Sequence, residues 1–170
     1  MSVARTTPAL WMIVLLSAWL GAVFVFGAVV APAAFDVLPS RTLAGALVGR
    51  VLPALFWSGA LLGLLVAALV RRGDRARGIR LAGGILMTLA CLAAQLVVAP
   101  NIEQARVAAA GPIDALAPGD PRRVSFGRLH GASVGLLAIA GIAAASALLS
   151  TARAVTAPTT FTDRESLDHG

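Results

Sequence analysis

His130 stands in the stretch Phe126-Gly127-Arg128-Leu129-His130-Gly131, just where a polar segment gives way to an apolar one. An imidazole in that position could ligate haem or another metal, or relay a proton. The plainer alternative is an interfacial histidine that hydrogen-bonds a neighbouring helix. That alternative is favoured, because the other histidine, His169, lies in the polar C-terminal tail and a metal site draws on several such ligands. A haem held by two histidines would require two copies of the chain.

Asp36, Arg50, Asn101, Glu103, Arg106, Arg128 and Ser133 join His130 in flanking the ends of apolar runs. Arg50 with Asp36 or Glu103 could bind an anionic headgroup or a carboxylate. The competing reading is an ion pair that fixes helix order at a membrane edge, where such pairs are common and individually weak. Glu103 and Arg106 are spaced to pair on one helix face. Thr88, Cys91 and Gln95, at i, i+3 and i+7, form a second polar stripe. It either lines a cavity or joins helices through hydrogen bonds worth about 0.6 kcal/mol each. No catalytic residue, metal site or cofactor is expected from these patterns. Cys91 is the single cysteine, which excludes an internal disulfide and a multi-cysteine metal site. The glycines Gly127, Gly131 and Gly135 sit inside a helical pattern and lack the Lys-Ser/Thr ending of a phosphate loop, so they read as a packing ridge.

The elements that must position these groups are four apolar runs, at residues 10–35, 51–70, 81–100 and 129–150. A membrane-crossing helix needs about 20 apolar residues, since each advances roughly 1.5 Å through a hydrocarbon layer of about 30 Å. All four runs reach that length. The spacing therefore predicts an all-α, integral membrane four-helix bundle in residues 1–152, with its third and fourth helices extending beyond the outer face. Residues 153–170 are polar and are expected to form a disordered cytoplasmic tail.

Composition agrees. The chain has 170 residues, of which 58% are hydrophobic and 13% charged, and a mean hydropathy of +0.86. A water-soluble domain of this size needs far more polar surface. The net charge of +6 comes from arginine alone, since there is no lysine. Arg71, Arg72, Arg75, Arg77 and Arg80 crowd the short connection between the second and third runs. Short basic connections stay on the cytoplasmic side, which predicts an N-in, C-in topology. No aromatic or glycine-rich recognition pattern accompanies the charge, so nucleic acid is not an expected partner. Lysine-free usage suggests a GC-rich genome and hence a bacterial inner membrane. Arg5, an apolar stretch and Ala31-Pro32-Ala33 imitate a cleavable leader, but the run far exceeds a leader's apolar region of about 7–15 residues. A retained first span is expected.

Local punctuation refines the picture. Ser40 or Thr42 can cap a helix after Pro39, and residues 43–50 either form a separate interfacial helix or extend the second span. Asp120-Pro121 is a strong helix start. Gly45 and Gly49, then Gly59 and Gly63, repeat a small-residue spacing suited to close helix contact, as do Ser17, Gly21 and Ala28. Val29-Val30-Ala31-Pro32 recurs as Val97-Val98-Ala99-Pro100, a match short enough to arise by coincidence.

Phe35-Asp36-Val37-Leu38-Pro39 with Thr42, Gly45, Arg50 and Pro53, and later Pro100-Asn101-Ile102-Glu103 with Phe126-Gly127-Arg128-Leu129-His130-Gly131-Ala132-Ser133, resemble the transmembrane protein 205-like proteins. The resemblance runs from about Ala9 to Leu149 and implies a four-helix membrane protein. Its bacterial members are described only as a domain of unknown function, so no functional residue carries over. Leu137 stands where some relatives carry asparagine. The expected function is a small multi-pass protein that packs with itself or a partner membrane protein, or binds lipid or a hydrophobic ligand between its helices. Two alternatives are a haem- or porphyrin-binding oxidoreductase using His130, and a subunit of an oligomeric transporter.

Overall fold

The computed structural model describes residues 3–70, 76–109 and 111–156, with side chains from Pro8 onward. The basic connection at Arg71, Arg72 and Arg75, the tail from residue 157 and His169 lie outside the described residues. The first rod is α1 (Val3–Val25), a π-helical turn (Phe26–Val30) and α2 (Ala31–Val37). The second is α3 (Arg41–Leu69). The third is α4 (Arg77–Ala93), a second π-helical turn (Ala94–Val98) and α5 (Ala99–Ala108). A short 3-10 turn (Ile113–Ala115) leads into α6 (Pro121–Thr156). The described residues contain four helical segments long and apolar enough to cross a membrane, of 30, 29, 32 and 36 residues.

Local chemistry sets the helix starts. Ser40 caps α3, its Oγ accepting from the Leu43 N–H at 3.2 Å. α3 then runs unbroken through Pro53, so residues 43–50 extend the second span and form no separate helix. Asp120 caps α6, accepting from the Arg122 N–H at 2.9 Å, while Pro121 occupies the first turn, where no N–H is needed. α6 ends later than expected. It continues to Thr156, with Ser150 and Thr151 buried and their hydroxyls donating to the Ala147 carbonyl.

The two π turns explain the short repeat. Each is followed by Ala-Pro, at Pro32 and Pro100. A proline inside a helix lacks an N–H and collides with the carbonyl four residues earlier, and widening the preceding turn relieves that collision. The repeated residues thus share a backbone form, although Pro53 lies within α3 without such a turn, so proline alone does not dictate it.

α4 is the central rod, packed on α3 and α6, while α1 closes the bundle against α6 and α3. The α3–α4 contact is the tightest. A methyl added at Gly63 would lie 2.7 Å from the Gly84 oxygen, and one at Gly84 would lie 2.7 Å from the Gly63 oxygen. On the other side, Gly83 faces the Ala143 carbonyl and the Ala147 methyl. Leu16, Val66, Met87, Cys91, Ala140 and Ala144 fill the core between these backbones. Outside, large apolar side chains coat the rods: Phe24 and Leu61 are each 70% exposed. So extensive an apolar exterior suits lipid as the solvent.

Two small-residue stripes do not pack as expected. A methyl added at Gly21 would meet no atom of another element within 4 Å, and the same holds at Gly127, Gly131 and Gly135. Their helices turn other faces inward: α1 presents Met12, Leu16 and Trp19, and α6 presents Ala140, Ala143, Ala144 and Ala147.

Candidate functional site

At the bundle end away from the basic connection, the helices splay enough to leave a half-open cavity of about 540 Å³. Its inner end is formed by Leu52, Pro53, Phe56 and Gln95, and by Ser133 of α6. Gly111, Pro112, Ile113 and Asp114 lie over its outer end. That loop is held down by Arg123, whose guanidinium donates to the Leu116 carbonyl at 2.8 Å.

Arg106 of α5 dominates the outer half. Its Nη2 donates to the Gly45 carbonyl of α3 at 3.2 Å. Methyls added at Gly45 or Gly49 would lie 3.5 Å from the guanidinium nitrogens, so the two glycines form a shallow notch in which the group rests. Its other face lies over the Phe126 ring, with the central carbon 5.7 Å from the ring centroid, inside cation–π range. Phe126 stacks in turn on His130, with centroids 6.4 Å apart and planes 9° from parallel. Glu103 approaches Arg106 at 3.8 Å, an ion pair too long to be a hydrogen bond, with the carboxylate side chain 68% exposed.

The eight residues expected at the outer end therefore divide. Glu103, Arg106, His130 and Ser133 line the cavity, Ser133 being buried. Asp36, Arg50, Asn101 and Arg128 are exposed and do not line it. Asn101 is used within its own helix, donating to the Val97 carbonyl. Arg50 thus joins neither Asp36 nor Glu103, because its side of α3 turns away from the Gly45 and Gly49 notch. The polar stripe on the third rod faces the bundle. Thr88 donates to the Gly84 and Ala60 carbonyls at 2.9 and 3.2 Å. Cys91 is fully buried against Gly59. Gln95 reaches the cavity, where its Oε1 is buried without a hydrogen-bond partner.

Several participants escaped the sequence reading. Arg41 lines the cavity from the first turn of α3, and Phe126 links Arg106 to His130. The available signal was the spacing of Arg41, Gly45 and Gly49, which places a cation and two bare backbone positions on one helix face. Gly83 and Gly84 were likewise missed as packing residues. Among the described residues, no three His, Cys, Asp or Glu side chains converge on a point where a metal could sit.

Residues 14–110 match the family described as a domain of unknown function (DUF4149). The chain belongs to that family. The match runs from Val14, within α1, through the second and third rods, and so includes the Gly45 and Gly49 notch, Gln95 and Arg106. No curated protein and no solved structure matches the chain. Family membership and four apolar helices together give a membrane protein of unestablished activity.

Proposed function

We propose that this chain is a multi-pass protein of the bacterial inner membrane, N-in and C-in, whose outer-end cavity binds a lipid or another hydrophobic ligand between the helices. The likeness to transmembrane protein 205-like proteins belongs to the same proposal. The observation that carries it is the cavity, at about 540 Å³ within the usual size of ligand pockets. Its walls are mostly apolar, with a few convergent polar groups at Arg106, Glu103, His130 and Gln95. An empty apolar pocket open to acyl chains would fill with them, and the unpartnered Gln95 oxygen would gain a donor from a ligand or a water. The reading requires no cofactor. A second copy, or a partner membrane helix, is the proposed neighbour for the bare face of Gly127, Gly131 and Gly135.

Mass spectrometry of the protein extracted in mild detergent tests this. Wild type should retain a defined lipid or apolar molecule. Ala46→Trp, which places an indole in the cavity from α3, should lose it while folding normally. Equal retention by both proteins would refute cavity binding.

A further inference from the structure

The cavity's polar groups are unequal in a way that identifies the ligand's headgroup. Arg106 is the half-buried cation among them, its side chain 34% exposed. A guanidinium carries five N–H donors. One is used by the Gly45 carbonyl, and the nearest carboxylate oxygen, on Glu103, stands beyond hydrogen-bond reach. The glycine notch on one side and the Phe126 ring on the other hold the fork in place without using its remaining donors. A preset planar fork is well suited to the oxygens of a phosphate or carboxylate. Arg41 lies one helical turn before Gly45 and lines the same cavity, so a second cation faces the same region. Glu103 and Asp114 also line it, but they and Arg41 are all exposed at the rim, where solvent screens them more strongly than it screens Arg106, so the half-buried guanidinium dominates. Inward from Arg106, Gln95 lies three turns down the same rod, roughly 16 Å at 1.5 Å per residue. Phe56 and Leu52 wall that depth. An extended acyl chain fits such a space better than a compact solute.

We infer that the cavity is selective for anionic acyl lipids, with Arg106 binding the headgroup, Arg41 supporting it, and the chain lying toward Phe56 and Gln95. This rests on the cavity-binding reading above.

The test uses the full chain in detergent, titrated with phosphatidylglycerol and with a diacylglycerol carrying the same acyl chains, and read by native mass spectrometry. Wild type should prefer phosphatidylglycerol by about tenfold to a hundredfold, the range of a charge-assisted hydrogen bond. Arg106→Gln should erase that preference while keeping diacylglycerol binding, which also shows that the variant is folded. Should Arg106→Gln fail to fold, Arg106→Lys keeps the charge without the fork, and its preference should still fall. Arg50→Gln, outside the cavity, should change nothing. An undiminished preference in the folded Arg106 variant, or an equal loss in Arg50→Gln, overturns the inference. Equal binding of both lipids by wild type also overturns it but leaves cavity binding intact, whereas binding of neither removes the cavity reading itself. Displacement of phosphatidylglycerol by inorganic phosphate at comparable concentration would make a soluble anion the ligand, and would overturn the acyl assignment.

Discussion

Gly63→Ala isolates the contact that holds the bundle together. A glycine inside a helix is ordinarily a liability, and replacing it with alanine is favourable by about 0.8–1.0 kcal/mol of propensity. At Gly63 the added methyl would meet the Thr88 Oγ1 at 2.6 Å, the Gly84 carbonyl oxygen at 2.7 Å and the Thr88 nitrogen at 2.9 Å. Two of those atoms are backbone and cannot rotate away, so α3 and α4 must separate. Overpacking of this kind costs about 1–3 kcal/mol, and here both helices move as units, which favours the upper end. Separation would also lengthen the Thr88 bond to the Ala60 carbonyl, now 3.2 Å, a further loss of about 0.6 kcal/mol. The losses exceed the gain, for a net destabilisation of about 1–3 kcal/mol. Gly141→Ala, in α6 and off the Gly127, Gly131 and Gly135 face, is the control, because a methyl there would meet no atom of another element within 4 Å. It should be neutral or stabilising by up to about 1 kcal/mol. Cys91, fully buried, supplies the assay: its alkylation rate on warming reports opening of the α3–α4 contact. Gly63→Ala should be labelled at lower temperature than wild type, and Gly141→Ala at the same or a higher one. If the two variants behave alike, the contact geometry does not control stability and the reasoning fails.

Trp19 donates its indole N–H to the Leu55 carbonyl at 3.0 Å; that carbonyl also accepts from Ser58 at 3.1 Å, so losing the bond costs only about 0.5 kcal/mol. The smaller ring also leaves a void beside Gly59, and Trp19→Phe should cost about 1–3 kcal/mol in the same alkylation assay. Gly78→Cys and Gly119→Cys introduce thiols at opposite ends of the bundle, in open space. In intact cells an impermeant reagent should label only the second, and the reverse pattern would invert the proposed topology. The Asp120 carboxyl is held down to about 2, first by its hydrogen bond from the Arg122 side chain and then by that from the Arg122 backbone N–H. Since its ordinary value is higher, this contribution is complete above about pH 4 and disappears as pH falls through the folded value. Helicity followed by circular dichroism should show an acid-dependent loss in wild type that Asp120→Asn, which still caps but carries no charge, lacks.

How much of this could be read beforehand differs from residue to residue. Ser40 and Asp120 are local devices, acting on N–H groups two or three residues away, so sequence places the second and narrows the first to Ser40 or Thr42. The four apolar helices are legible for a similar reason: in hydrocarbon each backbone N–H and C=O must be satisfied within its own segment, so length and apolarity decide the outcome without reference to neighbours. The candidate site was only half legible. Glu103, Arg106 and His130 were visible as unusual residues, yet Arg50 and Asp36 looked equally suitable and do not line the cavity.

Sequence by itself thus determined the number of membrane-length helices and the set of polar groups available at one end of the bundle, whereas the start of α3 and the end of α6 lie more than a turn beyond the apolar runs. Tertiary structure decided which way each helix faces. Glycines spaced by four are locally equivalent at Gly59 and Gly63 and at Gly127 and Gly131, but the first pair is buried against α1 and α4 while a methyl on either of the second pair would meet no other element within 4 Å. Likewise Arg106 rests on Gly45 because the π turns and the α3–α4 crossing set the rotation of each rod. That rotation is fixed by contacts between segments far apart in the chain, and no local pattern encodes it.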